Sequence, residues 1–191
     1  MKIFRNGYFV VGILITMSCA RAVFVGDTAP DFELLDQDNK IRTLKEFKGK
    51  YIVLYFYPKD NTPGCTKQAC LLRDSFGEFE KQNIVVLGIN YDSKETHKKF
   101  KSKHNLPFIL LSDSEKKIAK LYGAKNWWFI PFPYRKTFII NTHGKICSIL
   151  DNVDVSTHTA NVLQIINKQK TIKNDNWPLY NVEQSCIYYY L

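Results

Sequence analysis

The run Tyr51-Ile52-Val53-Leu54-Tyr55-Phe56-Tyr57 is apolar, β-branched or aromatic at every position and is closed off by Lys50 and Pro58. An extended segment without polar alternation has no face to show to water. It must be covered on both sides, as central strands of a helix-flanked sheet are. Ile84-Val85-Val86-Leu87-Gly88-Ile89-Asn90 repeats the pattern, and Phe108-Ile109-Leu110-Leu111 predicts a third strand. Helical stretches separate them. One runs from near Pro63 towards Gln82, with proline tolerated in the first turn and Gly77 marking a bend or division. Another spans Ser93 to His104, and Ser114 to Tyr122 reads as a short helix stopped by Gly123. Lys136 to Ile140 and Lys145 to Leu150 then flank Asn141-Thr142-His143-Gly144, a good hairpin turn. Val155 to Gln169, with Val162, Ile165 and Ile166 as its apolar positions, is the last helix. This order predicts one α/β domain with a central, mostly parallel or mixed sheet and helices on both faces. A chain of 191 residues holds one such domain and not two large ones.

The two ends differ from this middle. Lys2 and Arg5 precede an apolar run from Tyr8 to Ala20, and Ala20-Arg21-Ala22 offers a small-x-small cleavage site. That is the order of a secretory signal peptide, and the run falls short of the ~20 apolar residues of a membrane span. Residues 1–22 are therefore expected to direct export, periplasmic or secretory; the alternatives are an uncleaved membrane anchor and plastid targeting. Cys19 as a lipid-modified cysteine is a minor reading, because Thr16 stands where such sites usually want leucine. The domain is assigned to residues 23–170, opening with an extended piece at Pro30 to Leu34 and a polar turn at Asp36 to Lys40. Residues 171–191 lose periodicity and read as a tail. Loss of the leader would remove Lys2, Arg5 and Arg21 and no acid from a formal net charge of +9. Lys94, Lys98, Lys99, Lys101 and Lys103 share one helix, a solvated face being the plain explanation. With no nucleic-acid motif beside them, no nucleic-acid partner is expected.

The most informative stretch follows the first buried run. Thr62-Pro63-Gly64-Cys65 places Cys65 in the first turn of a helix, where unpaired backbone N–H groups and the helix dipole favour a thiolate, the nucleophilic form. Gly64 leaves the sulfur open to a small molecule, and the Thr62 hydroxyl can hydrogen-bond the thiolate or an incoming oxygen. Cys70 lies five residues on. On one regular helix their Cα atoms stand about 8–9 Å apart, whereas a disulfide needs less than about 7 Å. A bond between them would require local unwinding, which suits a cycling disulfide better than a structural one. Two inert core cysteines and a metal pair are the rival readings. A metal site usually offers a second ligand pair, which is absent nearby, and no metal or other cofactor is expected. A thioredoxin-style exchanger would prefer C-x-x-C.

Tyr57-Pro58-Lys59-Asp60-x-Thr62-Pro63-Gly64-Cys65-Thr66-Lys67-x-Ala69-Cys70 resembles the active-site signature of the Q-type peroxiredoxins, also called bacterioferritin comigratory proteins. Weaker similarity extends from Gly26-Asp27-x-Ala29-Pro30-Asp31-Phe32 through Arg73-Asp74 to Arg135-x-Thr137-Phe138-Ile139-Ile140. The resemblance implies a thioredoxin-like fold and a thiol peroxidase without cofactor. In it Cys65 matches the peroxidatic cysteine and Cys70 the resolving one. Thr62 and Pro58 match residues that orient peroxide and shield the sulfur, and Arg135 matches the arginine that stabilises the thiolate. The implied substrates are hydrogen peroxide and organic hydroperoxides, the implied reductant a thioredoxin-like protein, and the expected form a monomer. A protein thiol–disulfide exchanger and a redox-sensing or chaperone-like module are the alternatives.

Some features depart from that pattern. Gln68 stands where relatives often carry glutamate. The loop from Asn126 to Tyr134, with Trp127, Trp128, Phe129 and Phe132, is unusually aromatic, which core packing explains most simply and an apolar wall or docking surface explains otherwise. Cys147 and Cys186 have no role that the resemblance assigns; Cys147 reads as strand packing, the alternative in an oxidising compartment being that the two pair or that either stays free. His97, His104, His143 and His158 are expected at the surface.

Overall fold

The computed structural model describes residues 22–126, 129–151 and 153–174. The strands are β1 (Glu33–Asp36), β2 (Ile41–Thr43), β3 (Tyr51–Phe56), β4 (Ile84–Asn90), β5 (Ile109–Ser112), β6 (Lys136–Ile140) and β7 (Ile146–Leu150). The helices are α1 (Pro63–Asp74), α2 (Phe76–Lys81), α3 (Lys94–His104), α4 (Lys117–Leu121) and α5 (His158–Asn174), with a 3-10 turn at Leu44–Phe47. One mixed sheet runs in the order β2-β1-β5-β4-β3-β6-β7. Parallel pairing is confined to β3–β4 and β4–β5. The β1–β2 and β6–β7 hairpins are antiparallel, as their short connections require, and they join the parallel strands through the antiparallel pairs β1–β5 and β3–β6.

Every residue of β3 is buried, because its two faces enter two different cores. Val53 and Tyr55 pack with Leu72, Phe79, Phe100, Val162 and Ile166 of the helices on one side. Ile52, Leu54 and Phe56 pack with Phe138, Ile118 and Tyr122 on the other. Gly88 of β4 permits a close crossing, since a Cβ there would come within 2.7 Å of the Tyr55 hydroxyl.

Three boundaries differ from the sequence expectation, each for a local reason. The long helix divides at Ser75 (φ −99°, ψ 7°) and not at Gly77, which lies inside α2; the turn drives Phe79 fully into the core. Helix α4 starts at Lys117, not Ser114, because the buried Asp113 carboxylate caps it from outside, accepting from the N–H groups of Ile118 (3.2 Å) and Ala119 (2.8 Å). Helix α5 begins at His158 and runs to Asn174, about a turn later than expected at its start. The hairpin turn is as expected. Gly144 adopts φ +75° and donates to the Asn141 carbonyl, while the Asn141 side chain accepts from the N–H groups of His143 and Lys145.

Candidate active site

Strand β3 delivers the chain to the loop 57–62 at the foot of α1. Thr62 is extended (φ −81°, ψ 148°) and occupies the N-cap, with Pro63 next, so Cys65 sits within the first turn. The bond from Thr66 N–H to the Thr62 carbonyl (2.9 Å) opens the helical ladder. The N–H groups of Gly64 and Cys65 precede it and have no partner within the helix. The Thr62 hydroxyl donates to the Lys59 carbonyl at 3.1 Å, which leaves its lone pairs as acceptors. Cys65 itself is 2% exposed.

Register brings Arg135 to this sulfur from 70 positions away. β6 pairs antiparallel with β3, Lys136 opposite Phe56, so the residue before β6 falls beside the loop that follows β3. Arg135 Nη2 donates to Cys65 Sγ at 3.2 Å, and Nη1 donates to Gln68 Oε1. Gly64 is not imposed by this contact, since a Cβ there would lie 3.5 Å from Nη2, an ordinary approach. Gln68, buried one turn along α1, has its Nε2 3.2 Å from His158 Nδ1. His158 Nε2 lies 2.9 Å from Thr137 Oγ1. Burial first, and the Arg135 charge second, lower the His158 pKa to about 4, so the ring is neutral near neutral pH.

A second buried cluster pins the loop. Asp60 accepts from the Tyr57 hydroxyl (2.6 Å) and Asn90 Nδ2 (3.1 Å), and its other oxygen faces His97 Nδ1 at 2.8 Å. The Asp60 N–H donates to Asp92 (2.8 Å), and His97 Nε2 reaches the Leu111 carbonyl (3.2 Å). The loop before Cys65 is thereby tied to β4, α3 and β5. Burial keeps the Tyr55 and Tyr57 phenols protonated, and the charges of Asp60 and Cys65 add to the effect at Tyr55.

Cys65 and Cys70 are free thiols. Cys70 is half-buried on the intact α1, where the Arg73 guanidinium, paired first with Asp74, also faces its sulfur. Arg73 is moored to the His104 carbonyl at 2.8 Å. Pro58 stands half-buried at the head of the loop. Cys147 is buried in β7, its sulfur 3.3 Å from the Ile139 carbonyl, as strand packing requires. Among the described residues no cluster of three or more histidine, cysteine or acidic side chains is placed to hold a metal ion.

Two of the histidine expectations are corrected. His97 and His158 are buried; only His143 is exposed, and His104 is intermediate. Both buried rings have polar partners on other elements, and nothing in their local sequence marks that. Among the described residues of the aromatic loop, the large side chains are not core. Phe129, Phe132 and Tyr134 are exposed, whereas Pro133 is buried; Trp127 and Trp128 lie outside the described residues, as do Cys19, Cys186, the leader through residue 21 and the tail beyond residue 174.

Comparison with known proteins agrees with this geometry. Residues 25–149 match the model of the AhpC/TSA family. The chain is 43% identical over 150 residues to the peroxiredoxin Bcp of Bacillus subtilis, covering 74% of this chain and 94% of that one. It is 46% identical over 127 residues to a chloroplastic peroxiredoxin Q of Sedum lineare, covering 66% and 68% respectively. A solved structure of the bacterioferritin comigratory protein of Xanthomonas campestris, described for its alkyl peroxide reduction activity, superposes with a TM-score of 0.70 at 28% identity, covering 78% of this chain and 99% of that one.

Proposed function

The chain belongs to the AhpC/TSA family and is a thiol-dependent peroxidase of the peroxiredoxin Q kind with a thioredoxin-like fold, and on that premise we propose that Cys65 is the sulfur that attacks the peroxide and Cys70 the one that resolves it. The observation that carries this reading is the Arg135 guanidinium 3.2 Å from a buried Cys65 sulfur at a helix start. Guanidinium cannot give up its proton at any working pH, so it stabilises the thiolate without quenching it.

The cycle follows from these positions. The Cys65 thiolate attacks the terminal oxygen of a hydroperoxide, and an S–O bond forms as the O–O bond breaks. The bonding pair leaves on the departing oxygen, which takes a proton and departs as water or alcohol. Cys65 is then a sulfenic acid. Thr62, its own hydrogen committed to Lys59, accepts the hydrogen bond of the incoming O–H. Arg135 and the Gly64 and Cys65 N–H groups meet the charge developing across the breaking bond. Pro58 at the head of the loop helps to shield the sulfur. The first turns of α1 unwind, the Cys70 thiolate displaces hydroxide from Cys65, and the disulfide is returned to two thiols by two electrons from a thioredoxin-like dithiol. Cys65 and Cys70 share one helix, so the proposed disulfide needs no second subunit, which supports a monomer as the working form; light scattering of the purified protein tests that. The charged, apolar and small-residue order of residues 1–22 supports export with a mature N-terminus near Val23, which mass spectrometry of the secreted or periplasmic protein tests.

A peroxide assay coupled to thioredoxin and its reductase separates the roles. Cys65→Ser is expected to consume peroxide no faster than buffer. Cys70→Ser is expected to complete one turnover, form sulfenic acid and then stall. Sustained turnover by Cys65→Ser would reject the assignment.

A further inference from the structure

Gln68 raises a question that the peroxidase reading leaves open: what holds Arg135 in place where no carboxylate does? Among the described residues the Arg135 side chain hydrogen-bonds the Cys65 sulfur and the Gln68 amide, and neither partner is a carboxylate. An amide is a weaker and less directional anchor than a carboxylate, because it can turn over and present its NH2 instead. Something must keep its oxygen towards the guanidinium.

The donor sequence supplies the answer. Arginine only donates, so Gln68 must turn Oε1 to Arg135 and Nε2 away. Nε2 then donates to His158 Nδ1 at 3.2 Å, which must carry a lone pair. The remaining ring hydrogen is therefore on Nε2, where it is donated to Thr137 Oγ1 at 2.9 Å. Every bond in the row has one donor and one acceptor, and any single reversal places two donors face to face. His158, Gln68 and Thr137 are all essentially solvent-free, so none can exchange its partner for water without opening the fold. The ring sits at the start of α5, where a cation is also disfavoured. We infer that His158 is a positioning residue for peroxide reduction: as a neutral Nε2–H tautomer fixed by Thr137, it locks the Gln68 amide so that the whole Arg135 charge faces the Cys65 sulfur.

This inference rests on Cys65 being the attacking thiol and extends that reading to residues 158 and 137, which touch neither sulfur nor substrate. It also gives a reason for an uncharged residue at 68. A carboxylate there would share the guanidinium with Cys65 and place an anion beside the imidazole, whereas the neutral row leaves Cys65 as the anion that Arg135 faces.

Two measurements test it on the full chain. Nitrogen chemical shifts of the His158 ring in the reduced wild type are expected to report the Nε2–H tautomer throughout pH 5–8; an Nδ1–H tautomer or an imidazolium in that range would overturn the proposal without any mutation. Stopped-flow oxidation by hydrogen peroxide and the pH profile of Cys65 alkylation are then compared for wild type, His158→Phe and His158→Gln. In His158→Phe, peroxide oxidation should slow by about tenfold and the alkylation profile should move to higher pH, because the amide is free to turn over. His158→Gln keeps an acceptor and a donor on opposite ends and should recover most of both. Should the Phe variant oxidise at the wild-type rate with an unmoved profile, the relay has no role. A wild type that fails to react with peroxide would instead sink the peroxidase reading beneath it, so the two failures are distinct.

Discussion

Arg135 serves two partners with one planar fork, and that geometry sets what can replace it. Lysine keeps the charge but donates from one nitrogen, so it does not reproduce the two-nitrogen fork that reaches Gln68 from Nη1 and the Cys65 sulfur from Nη2. Arg135→Lys is expected to oxidise about tenfold more slowly, and Arg135→Leu roughly 100- to 1,000-fold more slowly, as loss of a preorganised transition-state donor does; stopped-flow fluorescence under pseudo-first-order peroxide reads both. His158 gives a matching expectation for stability. Its folded pKa of about 4 lies below the unfolded 6.5, so between these values the unfolded chain binds more protons. The contribution is complete above about pH 6.5 and is lost as pH falls towards 4, on the order of 3 kcal/mol in all. Urea unfolding at pH 7 and pH 4.5 should show a larger drop for wild type than for His158→Gln; equal drops would contradict the buried neutral ring. Cys65, Thr62 and Arg135 were legible because their motif is local or matched residue by residue. His158 was not, because its partners lie 90 and 21 positions away and a histidine at a helix start looks like any solvated one. Asp60 with His97 escaped for the same reason, the pair being 37 positions apart.

Helix α1 is intact in the reduced chain and carries both thiols, so the proposed cycle makes this element the moving part. Closing the Cys65–Cys70 bond must break its first turns and pull buried Gln68 and Ala69 from their packing. Hydrogen exchange is expected to show faster exchange across residues 63–74 in the disulfide form than in the reduced form, with β3 and β4 unchanged. Equal protection of α1 in both forms would mean that the bond closes without unwinding. The element pattern itself was readable wherever burial was two-sided: β3, β4 and the 141–144 turn lie where hydrophobic runs and turn chemistry put them. Helix starts were less readable. The cap of α4 is Asp113, outside the stretch that looked helical, and the break falls at Ser75, not at the glycine two residues on, with Phe79 fully buried beyond it.

The sheet of the whole molecule works as one wall between two cores, and β3 lies inside it between β4 and β6. Leu54 is fully buried on the face opposite α1. Leu54→Ala should therefore cost about 3 kcal/mol of stability through transfer and cavity terms; a fall in the urea midpoint at unchanged m-value checks it, and a loss below about 1 kcal/mol would show that the core on that face closes around the gap. The antiparallel pairing of β3 with β6 also fixes where Arg135 arrives, so the architecture and the active site share one register. What the whole molecule does with that register is most directly tested by one experiment. The reduced protein is given one equivalent of hydrogen peroxide, quenched with an alkylating agent and mapped by non-reducing peptide mass spectrometry. The expected result is a Cys65–Cys70 cross-link in the wild type and sulfenic acid at Cys65 in Cys70→Ser. An unmodified Cys65, or a cross-link that joins Cys147 or Cys186 and leaves Cys70 free, would contradict the chemistry assigned to this site.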